Sequence, residues 1–99
     1  MVRWTAHAKA QLRHIYDYIA QDSPHYAKRV SEELVQKTIG LDQLPRKGRK
    51  TPELNNDLIR ELSLYSYRIL YEIKPNQIDI LAVIHKRQNL QAEEIIPDK

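Results

Sequence analysis

The chain contains no cysteine, no phenylalanine and only two glycines in 99 residues. Without thiols, neither a disulfide framework nor a thiolate metal site can form, and a reducing compartment, the cytoplasm, is the expected location. Gly40 and Gly48 stand apart, so there is no glycine-rich loop to cradle phosphates. The opening MVRWTAHAKAQ holds no apolar secretion core, and no apolar run reaches bilayer-spanning length, so no membrane partner is expected. Positive charge is only slightly in excess: sixteen basic against thirteen acidic side chains give +3. Any case for a nucleic-acid or charged partner must therefore come from where the charges sit. Six tyrosines supply most of the aromatic surface, and their hydroxyls need partners or water.

A chain of this length suits a single domain, residues 1–99, with a single core. Met1 to Trp4 is apolar enough for a strand that joins a later sheet. Thr5 is placed to cap a helix over Ala6 to Gln21, where Ala8, Leu12, Ile15, Tyr16 and Ile19 recur at helical spacing. Asp22-Ser23-Pro24 breaks the chain and restarts it, serine as cap and proline in the first turn. The second helix turns Ala27, Val30, Leu34, Leu41 and Leu44 inward and runs to Pro45, tolerating Gly40 at a cost of about 1 kcal/mol. So short a connector makes the helices an antiparallel hairpin. Pro45 to Asp57 reads as loop and Leu58 to Leu62 as a short strand.

Next comes SYRILYEIKPNQIDILAVIHKRQ. Tyr65, Tyr67, Ile69, Tyr71 and Ile73 alternate with Ser66, Arg68 and Glu72, interrupted only by Leu70, as a half-buried strand does. Lys74-Pro75-Asn76-Gln77 supplies a turn. Ile78 to Ile84 is an almost unbroken β-branched run, the mark of a strand covered on both faces. The tail Leu90 to Lys99 reads as one helical turn or frayed chain. The expected fold class is α+β: an N-terminal strand, an antiparallel two-helix hairpin, then a three-stranded antiparallel sheet.

The options for chemistry are few. His7, His14, His25 and His85 lie in different elements without ligand spacing, no carboxylate pair stands out, and neither metal nor cofactor is expected. What remains is basic. Arg60, Arg68, His85, Lys86 and Arg87 belong to the sheet; Arg46, Lys47, Arg49 and Lys50 form a loop cluster suited to phosphate. Arg68 enters its strand at the hairpin end that Lys86 and Arg87 leave, which gathers positive charge there. Each residue also has a plainer reading. Arg68 can pair across strands with Glu61 or Glu72, His85 can be a packed histidine at the strand exit, and the lysines and arginines can be solvated.

WTAHAKAQLRHIYDYIA, SPHYAKRV, LPRKGR, LIREL, YRILYEI and ILAVIHKRQ occur in an order and spacing that resembles the ParE/RelE superfamily of type II toxins, also called plasmid stabilization proteins. The resemblance implies a helical hairpin on a mostly antiparallel sheet, and a cognate antitoxin that wraps the groove between them. It also implies one of two targets. RelE-like members cut messenger RNA on the ribosome; Arg68 and Arg87 match two of their arginines, and His85 can substitute as the acid–base group, since related ribonucleases use histidine. Against this, Ile59-Arg60-Glu61 stands where a lysine pair is typical, and the tail lacks a tyrosine. ParE-like members poison DNA gyrase by binding and do no chemistry, and WT-x-x-A, YRILYEI and HKRQ resemble them more. The gyrase poison is the preferred reading, with the ribosome-dependent nuclease and a non-toxic nucleic-acid-binding relative as alternatives.

Overall fold

Thr5 ends the first strand and begins the first helix. The computed structural model describes residues 1–87, and the expectation for Leu90 to Lys99 lies outside them. Strand β1, Val2–Trp4, stops where the extended Thr5 side chain accepts the Ala8 N–H at 3.2 Å and donates to the Ile80 carbonyl at 2.8 Å. One hydroxyl thus caps helix α1, Ala6–Ala20, and ties it to the sheet. Ser23 caps helix α2, Pro24–Thr38, through the Tyr26 N–H, with Pro24 in the first turn.

The second helix stops well short of Pro45. The Thr38 hydroxyl donates to the Val35 carbonyl at 2.8 Å, Ile39 is extended, and Gly40 takes φ +89°, a conformation that favours glycine. Gly40 is therefore a turn residue rather than a flaw inside a helix. The break buries Leu41 and leaves Leu44 64% exposed, so Leu44 does not face inward as its spacing implied. The expected loop from Pro45 also holds structure: a 3-10 turn, Pro45–Lys47, and a short edge strand β2, Arg49–Lys50.

Three longer strands follow, β3 (Ile59–Leu64), β4 (Tyr67–Ile73) and β5 (Ile78–His85). The sheet order is β1-β5-β4-β3-β2, with β1 parallel to β5 and every other pairing antiparallel. The expected three-stranded sheet is thus its centre; β1 joins one edge as its sequence implied, and β2 adds the other. Tyr65 is not in the strand; with φ +54° it forms the two-residue turn between β3 and β4 together with Ser66.

Leu81 is an extra residue between the pairs Leu70–Ala82 and Tyr71–Ile80. This bulge changes which alternate residues of β5 face the helices: Ile78 and Ile80 before it, Val83 after it. On that face they pack with Ala8, Val30, Leu34, Ile69 and Tyr71 as the main core. The opposite face carries a smaller cluster, Leu70, Leu81, Ala82 and Ile84, with Leu54 packed against it from the segment after β2. Both faces are covered, which explains the unbroken apolar run of β5.

At the turn end of β4 and β5, the buried Asp79 accepts from Arg3 at 3.1 and 3.2 Å, Lys74 at 2.7 Å and Gln77 at 2.6 Å. Arg3 first, then Lys74 and Gln77, hold its carboxyl down from 3.8 to about 2. A depressed acid stabilises the fold above its unfolded pKa and loses that contribution as pH falls through the folded one. Arg3 and Lys74 are each about one-third exposed, so solvent discounts the effect to about 1–2 kcal/mol. Urea titrations should show wild type ahead of Asp79→Asn at pH 5, with the gap closing between about pH 4 and pH 2; a gap that persists at pH 2 contradicts the assignment.

Candidate functional site at the hairpin end of the sheet

Strand register decides which basic residues meet. Tyr67 pairs with His85 and Arg68 with Ile84, and the Lys86 N–H donates to the Ser66 carbonyl at 2.8 Å. Arg68, His85, Lys86 and Arg87 therefore share one end of the β4–β5 hairpin. Arg60 does not join them. It pairs with Tyr71 near the other end of β3 and lies three positions before Ser63, the cross-strand partner of Arg68, an odd offset that puts the two arginines on opposite faces. Its guanidinium is spent locally, on the Gly48 carbonyl at 3.0 Å and on the carbonyl and carboxylate of Asp57.

Arg68 and His85 also part. The His85 ring stands edge-on to Tyr67, centroids 5.9 Å apart, on the helix side of the sheet, and its Nδ1 accepts the Arg87 N–H at 3.1 Å. Both rings line a groove of about 620 Å³ between the helical hairpin and the sheet, along with the exposed Tyr18, Tyr26 and Tyr65. Arg68 projects from the other face. Its side chain is 8% exposed and all three of its nitrogens donate: Glu61 accepts at 2.6 and 3.3 Å, and both oxygens of Glu53 accept at 2.7 Å. Arg49 on β2 sits opposite Glu61 in register and reaches the same carboxylate at 2.9 and 3.1 Å. Glu53, then Glu61, raise the Arg68 pKa still further, so its charge is fixed. Arg49, Glu53, Ser63, Arg68 and Lys86 line a cleft of about 710 Å³ on this face.

The other expected cations divide similarly. Arg46 pairs with Asp57 at 2.7 Å, and Arg46 ahead of Arg60 and Lys50 lowers that carboxyl's pKa. Lys47, Lys50, Lys86 and Arg87 are exposed and form no ion pair among the described residues. Neither a metal-holding group of side chains nor a helix long and apolar enough to cross a membrane occurs among the described residues. The sequence weighed Glu61 as an ion-pair partner for Arg68 but gave no sign of Glu53. That residue arrives from an irregular segment whose path no periodicity records.

Residues 2–90 match the family described as "ParE toxin of type II toxin-antitoxin system, parDE". The chain belongs to the ParE toxin family. It is similar to a solved chain from the "Chromosomal ParDE TA system from P. aeruginosa", with a TM-score of 0.71 and 26% identity over 85% of this chain and 92% of that one. No curated protein matches the chain by sequence. As a ParE toxin of a type II module it has an antitoxin partner, and its α+β architecture is the family's.

Proposed function

We propose that this ParE toxin inhibits DNA gyrase by binding, does no chemistry of its own, and is neutralised by an antitoxin laid into the groove lined by Tyr18, Tyr26 and Tyr67. The observation that carries this reading is the separation of Arg68 from His85. A ribonuclease needs a cation on the phosphate and an acid–base group within hydrogen-bond reach of the same ester. Here the imidazole and the Arg68 guanidinium leave the sheet on opposite faces, two carboxylates occupy that guanidinium, and the arginine nearest His85 in the chain is the exposed Arg87. A buried Glu61 would also oppose the negative charge that accumulates during cleavage.

Binding needs only complementary charge and shape, and exposed Lys86 and Arg87 supply the charge beside the cleft. Arg49 borders the same cleft, whereas Lys50, the cross-strand partner of Arg60, faces the opposite side and Lys47 lines a separate hollow beside Leu44 and Ile73. Target contact is thus assigned chiefly to Lys86 and Arg87, with Arg68 organising the surface beneath them. Arg60, paired at the other end of β3, has no part in it. The purified toxin should inhibit supercoiling and accumulate cleaved DNA while leaving translated message intact. Codon-phased, ribosome-dependent cuts with gyrase unaffected would establish the nuclease instead.

A further inference from the structure

The ion network beneath the cleft has an uneven charge count. Among the described residues, Arg49 and Arg68 carry two positive charges and Glu61 one negative, and Lys86 adds a further positive charge at the cleft wall. An anion is needed, and Glu53 provides it. The two carboxylates differ in permanence. The Glu61 side chain is fully buried on a central strand, whereas that of Glu53 is 32% exposed. Glu53 lies on an irregular segment held by the Thr51 N–H on the Ile59 carbonyl, the Leu54 N–H on the Thr51 carbonyl, both at 3.2 Å, and the packing of Leu54. Its two oxygens each take one Arg68 nitrogen at 2.7 Å. This is the forked geometry with which an arginine grips a carboxylate or a phosphate.

We propose that Glu53 is a built-in substitute for a phosphodiester: it fills an anion site made by Arg68, Arg49, Ser63 and Lys86, and a nucleic-acid backbone phosphate displaces it. The displaced segment frees two guanidinium donors, and Ser63, opposite Arg68 in register, offers a hydroxyl beside them. Glu61 remains in place through the exchange, so the site binds a phosphodiester without breaking it. The toxin's resting form is thus self-blocked, and a polyanion presented at high local concentration opens it. The site goes beyond gyrase inhibition and does not depend on gyrase being the target.

The test uses the whole toxin and fluorescent single-stranded 12-mers of DNA and of RNA, titrated by anisotropy at several salt concentrations. Glu53→Gln keeps the side chain's size and removes its charge. On DNA, RNA or both it should bind about five- to tenfold tighter at low salt, because the phosphate no longer has to displace a carboxylate, with a steeper fall in log K as salt is raised. Glu53→Asp keeps the charge but shortens the reach, so it should gain less; it decides the matter if the glutamine variant does not fold. Whichever polymer gains more is the source of the phosphate. A folded Glu53→Gln protein with unchanged affinity and slope on both polymers overturns the proposal, as does an Asp variant that matches wild type when Gln fails to fold. Gyrase is absent from this measurement, so the site and the gyrase reading fail separately.

Discussion

Glu61→Ala should destabilise the toxin by about 3–5 kcal/mol, read as a fall in the urea midpoint at unchanged slope. The Glu61 side chain is fully buried and takes hydrogen bonds from both Arg49 and Arg68. Removing it leaves the nearly buried Arg68 with Glu53 as its one carboxylate among the described residues, and Arg49, 68% exposed, turns to solvent. The penalty falls on Arg68 because it cannot follow Arg49 outward: its backbone is fixed between β3 and β5. Arg49→Ala, which removes only the exposed partner, should cost about 1 kcal/mol or less. Equal losses for the two variants would mean that the network does not distinguish its inner from its outer arginine.

Gly48→Ala should cost about 2–4 kcal/mol for a different reason. The φ of Gly48 is −78°, so backbone freedom is not what requires glycine here; space is. An added Cβ would lie 2.6 Å from the Glu61 carbonyl, 2.7 Å from the Tyr71 hydroxyl and 2.9 Å from its ring. The Gly48 N–H donates to that hydroxyl at 2.9 Å, and the hydroxyl donates to the Pro45 carbonyl at 2.6 Å. Relief would pull β2 off β3 or turn Tyr71 out of both bonds, and either motion carries Arg49 away from Glu61. Amide exchange should therefore quicken at Gly48 and Thr51 ahead of the helices. Stability within 0.5 kcal/mol of wild type, on the order of an ordinary surface change, would contradict this packing.

These variants fall on opposite sides of what the sequence could show. The alternation of Tyr67, Ile69, Tyr71 and Ile73 pointed to β4, and the apolar run of β5 to cover on both faces; period and composition record both directly. Strand order in the chain placed Arg68 at the same end as Lys86 and Arg87, as the register has it. Other features left no such trace. Leu41 and Leu44 continue a helical spacing past Thr38, so the break at Gly40 was hidden behind a pattern that fits a longer helix. The bulge at Leu81, a change of one residue, has no compositional mark.

The charges show the same limit. A sequence shows signs of charge but not distances, so at the hairpin end it leaves open both a cationic surface and an Arg68 paired with Glu61 or Glu72. In the fold, Arg60 is on another face and Arg68 is matched by Glu53 and Glu61, which leaves Lys86 and Arg87 as the cations presented there. Gly48 counted only as one glycine of a loop. Its role depends on Tyr71, twenty-three positions away in the chain.

Contact through those two cations is tested most directly by reversing them. Lys86→Glu with Arg87→Glu alters exposed side chains that form no ion pair among the described residues, so the fold should be retained, as circular dichroism and an unchanged thermal midpoint would show. The dose of protein that half-inhibits gyrase supercoiling should rise by on the order of tenfold or more, and the effect should shrink as salt is raised. An equally folded variant that inhibits at the wild-type dose would show that gyrase is met by some other surface.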